Sequence, residues 1–234
     1  MDAEVVEHLL VSADDGGGEG KQDDVAVLQS TEYKSSSFGY ERHSSLPELA
    51  TDAMVQKAIS NLNADITTVI IYGSLTESQQ NAIATALAAK TIFIYLPDME
   101  TSELSESLAN EEDNISVYCG YIVENGSYLV YNADGLQAWH KAAEAIISTG
   151  TDDTNDDWYA EYTTDIDMPG LTLAADITLT GENNWAPLGY CVEGESKDVY
   201  YPYIGTIDGN GHTITGLNIN SAEKITLLLW SALA

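Results

Sequence analysis

The stretch Ile204-Gly-Thr-Ile-Asp-Gly-Asn-Gly-His-Thr-Ile-Thr-Gly-Leu-Asn-Ile219 decides how the last third of the chain is read. Within it Ile204-Gly-Thr-Ile207, Thr213-Ile-Thr215 and Leu217-Asn-Ile219 alternate, so that one side chain points inward and its neighbour, Thr or Asn, points outward. Between them Asp208-Gly-Asn-Gly211 supplies residues that tolerate positive φ, as a tight corner requires. Working upstream, Leu171-Thr-Leu173 and Ile177-Thr-Leu179 repeat the pattern, with Gly181-Glu-Asn-Asn184 as another corner. No helical period fits between these short runs. Strands this short, joined by such corners, suit the stacked turns of a right-handed parallel β-helix.

Three segments carry a resemblance: Leu173-Ala-Ala-Asp-Ile-Thr-Leu179, Trp185-Ala-Pro-Leu-Gly189, and Ile204 to Ile219. Together they resemble the opening rungs of bacterial surface and secreted proteins with the GLUG motif, which have pectin-lyase-like β-helices. The likeness is dense over about 50 residues and extends more loosely across residues 134–219. In that family a helix commonly precedes the first rung and caps its open end. The resemblance implies an exported, adhesin-like protein whose β-helix is a stalk or a binding surface for a host glycan or surface protein, and it names no catalytic residue. One departure is plain. Such rungs usually continue into Gly-Leu-Phe-Gly and many further coils, whereas here Lys224-Ile-Thr-Leu-Leu-Leu-Trp-Ser-Ala-Leu-Ala234 follows. Because about three stacked units are needed to bury a solenoid core, the chain is expected to be a fragment with an open apolar end.

The cap has a candidate in the sequence itself. Asp134 is placed as an N-cap, Leu136, Trp139, Ala143 and Ile146 or Ile147 share one helical face, and Gly150 is the stop. Just before it, Glu124-Asn-Gly-Ser127 contains the Asn-Gly pair of a type I′ turn, which predicts a hairpin from Ser116–Val123 and Tyr128–Tyr131 closing the preceding module.

That module, residues 52–131, is marked by an internal repeat. Val69-Ile-Ile-Tyr72, Ile92-Phe-Ile-Tyr95 and Ile115-Ser-Val-Tyr118 recur at a constant offset of 23 residues, each a β-prone run. Thr76-Glu-Ser-Gln79 has capping-box spacing, and Ile83 and Leu87 continue one helical face. After the second run Pro97 stops the strand, and Thr101 through Leu108 predicts a shorter helix. A strand and helix per 20–29 residues is the period of leucine-rich-repeat solenoids. The leucine ladder itself is poor. The expectation is a short β/α solenoid-like module, with a compact α+β domain as the plainer alternative. Residues 1–50, with runs such as Ala13-Asp-Asp-Gly-Gly-Gly-Glu-Gly20, read as an acidic disordered linker. The expected fold class is thus mixed α/β and β: the module at 52–131, then, over 132–234, a capping helix and truncated β-helix rungs.

Composition narrows the function. Of 234 residues, 38 are Asp or Glu and 8 are Lys or Arg, a formal charge of −30. Nucleic acid is excluded as a partner, because phosphate contacts need clustered basic side chains and Arg42 is the only arginine. Membrane insertion is not expected either, since the longest apolar run, Ile225 to Ala234, is too short to span a bilayer. The N-terminus lacks the basic and apolar regions of a signal peptide, so an export signal is expected outside this chain. Cys119 and Cys191 read as buried thiols, with one long-range bridge as the alternative.

Chemical motifs are sparse. Asp208-Gly-Asn-Gly-His212 resembles a stretch in β-helix polysaccharide hydrolases, yet glycoside hydrolysis needs paired carboxyls, and the further signatures of those enzymes do not occur as a set. Asp208 therefore reads as a turn-former and His212 as a strand-edge residue. Asp153, Asn155 and Asp157 are spaced like the first three ligands of a calcium loop, making Ca²⁺ the one cofactor suggested. The rest of that loop is missing, with Trp158 at the glycine position and Thr164 at the bidentate-acid position. No zinc, haem or nucleotide motif occurs. Aromatics give the only binding signal: Trp185, Tyr190, Tyr200, Tyr201 and Tyr203 flank the insertion Cys191–Val199 and suit stacking on sugars or anchoring a protein. For Trp185 and Tyr203 the competing role is packing of the first rung. The expected function is non-enzymatic adhesion or glycan contact. The competing classes are a carbohydrate-active enzyme whose catalytic rungs lie elsewhere and a purely structural stalk.

Overall fold

A computed structural model of the chain describes residues 10–12, 25–29, 55, 59, 67–109, 114–151, 160, 168–180, 185–193 and 198–219. These belong to two compact units, Met1–Ile122 and Val123–Ala234. The fold is mixed α/β with several small sheets, and among the described residues none of them closes on itself.

The first unit holds a five-stranded sheet in chain order, from β1 (Leu10–Ser12) and β2 (Val25–Gln29) through β3 (Thr68–Ile71) and β4 (Ile92–Leu96) to β5 (Ile115–Cys119). β1 is antiparallel to β2, and all other pairs are parallel. Two short strands thus lie within the stretch expected to be a linker, and the rest of residues 1–50 falls outside the described residues. Between β3 and β4 runs α1 (Glu77–Leu87), opened by a capping box in which Thr76 Oγ1 accepts from the Gln79 amide at 3.3 Å. In return, the Thr76 amide donates to Gln79 Oε1 at 2.9 Å. The expected second helix is split into a 3₁₀ turn, Thr101–Glu103, and the single turn α2 (Glu106–Ala109).

Strand alternation builds the core on one sheet face. Ile92, Ile94 and Leu96 of β4 are buried with Val69, Ile71, Ile83, Leu87, Met99, Leu108 and Ile115, while Phe93 stays exposed on the other face. There the aromatic rings stack across strands, Tyr95 against Tyr118 at 5.0 Å and Phe93 against Tyr118 at 6.3 Å. Gln80, which is buried, bonds to backbone through both ends of its amide: Nε2 donates to the Leu75 and Glu103 carbonyls at 3.2 and 3.0 Å, and Oε1 accepts from the Ser105 amide at 2.6 Å. The register shows what the repeat fixes. Ile92 pairs with Ile115 and Tyr95 with Tyr118, an offset of 23 residues, but Val69 pairs with Ile94, two residues beyond the repeat partner Ile92. A two-residue displacement keeps every side chain on its own face, so the core is unaffected.

Gly120 breaks the long strand expected from Ser116 to Val123, so that β5 joins the first sheet and β6 (Tyr121–Glu124) forms the hairpin with β7 (Ser127–Val130). At the turn Asn125 and Gly126 have φ of 50° and 76°, as a type I′ turn requires. β7 then pairs in parallel with β8 (Gly170–Leu173), so this hairpin belongs to the sheet of the second unit rather than ending the module before it.

In the second unit β7 is followed by α3 (Ala133–Ile147), whose N-cap is Asn132 rather than Asp134: Asn132 Oδ1 accepts from the Gly135 amide at 3.1 Å. Leu136, Trp139, His140, Ala143 and Ile147 form its buried face. Beyond it two parallel ladders stack one stretch of chain on another. β12 (Ile207–Asp208) pairs with β8, Ile207 opposite Leu171, and β13 (Ile214–Thr215) pairs with β9 (Ile177–Thr178), Ile214 opposite Ile177. A third link lies at Trp185, whose amide donates to the Asn218 carbonyl at 2.7 Å. Gly216 is required here, because at φ of 76° a Cβ would collide with the Leu179 carbonyl oxygen. Leu171, Leu173 and Ile177 are buried below, whereas Ile204, Ile207 and Leu217 above them are exposed.

Candidate functional site

The five aromatic residues singled out by sequence fall into two groups. Trp185 and Tyr203 pack on α3. The Trp185 ring lies 4.7 Å from the His140 imidazole, edge to face, and the Tyr203 ring lies 5.6 Å from Trp139. Both tryptophan-side anchors converge on one carbonyl, with Trp139 Nε1 and the Tyr203 hydroxyl donating to Pro169 O at 3.0 and 2.8 Å. Tyr203 is half-buried, and that burial pushes its hydroxyl pKa up, with the Trp139 contact acting in the opposite sense. Both residues are partly buried and make these contacts to α3, which is the packing role that the sequence left as their alternative.

The second group stands on a hairpin. β10 (Tyr190–Val192) and β11 (Val199–Tyr201) are antiparallel, with Tyr190 opposite Tyr201 and Cys191 opposite Tyr200. Tyr190 and Tyr201 stack with centroids 4.4 Å apart and planes inclined by 10°. Each ring covers one face of the other; Tyr190 is exposed and Tyr201 is half-buried. Tyr190 is 47% exposed, and its hydroxyl pKa is raised by the local desolvation first and by Tyr201 second. Tyr200 lies half-buried, and its carbonyl accepts from the Ala160 amide at 2.8 Å, fixing the hairpin at that edge. At the base Gly189 has φ of 82°, and a Cβ there would lie 2.7 Å from the Tyr201 carbonyl, so only glycine lets the two ends of the hairpin close.

Sequence reasoning took Cys191–Val199 as a loop insertion and missed this hairpin. The signal was present in the β-prone triplets Tyr190-Cys-Val192 and Val199-Tyr-Tyr201 on either side of a polar stretch. Cys191 is exposed, contrary to the expected burial, because it lies on β10, all of whose residues are exposed; Cys119 is buried, and neither forms a disulfide. His140 was also missed. Its Nε2 lies 2.7 Å from the Ala186 carbonyl and its Nδ1 3.5 Å from Glu144, which ties α3 to the chain beside Trp185.

The Asp208-to-His212 corner is built as a turn. Asp208 Oδ1 accepts from the Asn210 amide at 2.8 Å, and Asn210 Nδ2 donates across to Leu173 O at 3.2 Å. Asp176 on the neighbouring corner accepts from the Thr213 amide and hydroxyl at 2.8 and 3.1 Å, with His212 Nδ1 at 3.6 Å. The Thr213 amide, followed by its hydroxyl, holds the Asp176 carboxyl below the usual carboxylate range, and His212 adds to this. A lowered pKa is the opposite of what a general acid needs. The arrangement does the work of a corner clamp.

The calcium candidates Asp153, Asn155 and Asp157 lie outside the described residues. Among the described residues no cluster of three or more His, Cys, Asp or Glu can hold a metal ion, and no helix is long and apolar enough to cross a membrane. Compared with protein-family models, with curated proteins and with solved structures, the chain matches none of them.

Proposed function

We propose that the chain is part of a non-enzymatic, adhesin-like protein, exported or held at a bacterial surface, in which coils of β-strand carry an aromatic hairpin that contacts glycan. The observation that carries this reading is the stacked Tyr190–Tyr201 pair, with Tyr190 exposed, on a hairpin whose base is pinned by Gly189 and by the Ala160–Tyr200 bond. Flat aromatic faces on a rigid scaffold suit the apolar faces of sugar rings, and holding them in place beforehand lowers the entropy cost of binding.

The β-helix reading of residues 171–219 is supported by two parallel ladders whose partners lie 36 and 37 residues apart, as successive coils of one path would be. It is further supported by α3, which sets Trp139 and His140 beneath Pro169, Ala186 and Trp185, where a cap over a first coil would sit. The surface or secreted location follows from the family resemblance.

A glycan array probed with the full chain tests the function. Binding to a related set of oligosaccharides is expected, weakened roughly two- to tenfold by Tyr190→Ala or Tyr201→Ala, the loss of one aromatic contact. No binding at high protein concentration would leave the structural stalk. Binding unchanged by both substitutions would move the contact away from the hairpin.

A further inference from the structure

The hairpin that carries the stacked tyrosines is uncharged on their face and acidic where its strands end. Its register sets Tyr190 opposite Tyr201 and Val192 opposite Val199, and alternation places these four side chains on one face. Glu193 directly follows β10 and Asp198 directly precedes β11, the first exposed and the second half-buried. Three residues of extended chain set each of them about 10 Å from the tyrosine of its own strand, close enough to act through water on a bound charge at low salt. Basic residues are scarce in the sequence. Across the second unit Lys141, Lys197 and Lys224 are the only Lys or Arg, and Lys197 stands among Glu193, Glu195 and Asp198. The whole chain carries a formal charge of −30.

We infer that the hairpin takes uncharged saccharides and turns away uronate-bearing, sialylated or sulfated ones. The inference rests on the glycan reading of Tyr190 and Tyr201 proposed above. A sugar carboxylate or sulfate is held through charge-assisted bonds from Arg or Lys, and along residues 190–201 the sequence offers one Lys against three acids. Such a group would lose water on binding and would approach against the field of Glu193, Asp198 and the acidic chain as a whole. An uncharged pyranose meets neither cost. Its apolar face can stack on an aromatic ring, and its hydroxyls match that of tyrosine, which both donates and accepts.

Titrations of the full chain with matched oligosaccharides test this, the members of each pair differing only in one sulfate group, or in a uronate against its methyl ester. A chelator keeps divalent cations from bridging two carboxylates. At low ionic strength the uncharged member should bind at least about threefold more tightly, as two like charges about 10 Å away would give, and the gap should close in about 1 M salt, where the screening length falls to about 3 Å. Glu193→Gln combined with Asp198→Asn should narrow the gap and leave the affinity for the uncharged member unchanged. Equal or tighter binding of the charged member would overturn the inference while leaving the glycan reading standing. A gap indifferent to salt and to both substitutions would also overturn it, by showing that shape rather than charge excludes the acid. Binding of neither member of any pair would instead remove the glycan reading, and this inference with it.

Discussion

The sheet of the first unit and the ladders of the second bury the same residue types by different means. In the first unit Val69, Ile71, Ile92, Ile94 and Leu96 are dry because helical residues lie across one face of the sheet, so burial is set by a layer of another kind. In the second, Leu171 and Ile177 are 3% and 1% exposed, whereas Ile207, opposite Leu171 on its ladder, is 56% exposed and Ile214, opposite Ile177, is half-buried. A layered core is complete within itself. If the second unit is coiled as proposed, its stacked core is complete only as far as its last covered coil, and exposure should rise over one step of the ladder.

Core truncation gives the largest effect expected from this difference. Ile94→Ala in the layered sheet and Leu171→Ala in the stacked ladder should each cost about 2–5 kcal/mol, whereas Ile204→Ala, on the open end, should change stability by no more than about 0.5 kcal/mol. Urea unfolding curves of the three variants check this. An Ile204→Ala cost equal to that of Leu171→Ala would mean the two coils are equally covered and the contrast is absent.

A smaller effect separates the ways the two regions satisfy polar groups. Gln80→Leu keeps the bulk of the side chain but strands the Leu75 and Glu103 carbonyls and the Ser105 amide, for an expected loss of about 1–3 kcal/mol by thermal or urea unfolding. Loss within experimental error would show that water replaces the side chain there.

The smallest effect lies at the exposed corner of the ladders. Because the folded pKa of Asp176 is lowered, its contribution is present above the unfolded value of about 4 and is lost as pH falls through the folded value. Asp176→Asn should therefore lower the melting temperature slightly at neutral pH and flatten its fall below about pH 4, with the difference between variant and parent vanishing in acid. A melting-temperature difference that stays constant through acid pH would mean that the Thr213 bonds do not depend on the carboxylate charge. Solvent screening keeps this effect small.

Local patterns were readable wherever a short segment decides its own conformation. The Thr76 capping box, the Asn125-Gly126 turn and the stripe Leu136, Trp139, Ala143 and Ile147 all form where their spacing places them. What the spacing left open was decided by neighbours at a distance. Asn132 and Asp134 are equally good caps in sequence, and the extended backbone leading out of β7 selects Asn132. The register of β3 against β4 differs by two residues from the repeat, because pairing answers to which face is buried and an even shift preserves that. Gly120, with φ of 80°, divides a run of residues that are β-prone throughout. At the candidate site, the aromatic residues were visible as a cluster, but which of them pack and which face outward was not. That distinction follows from α3 reaching Trp185 and Tyr203, and from a hairpin whose pairing depends on residues 190 and 201 meeting across an unremarkable polar stretch.

The central claim, that successive coils stack in parallel, is tested most directly by interstrand amide-to-α-proton NOEs in an isotope-labelled sample. Cross-peaks linking Leu171 with Ile207 and Ile177 with Ile214 in the parallel pattern are the predicted result. An antiparallel pattern between these segments, or the absence of any contact between 171–178 and 207–215, would contradict it.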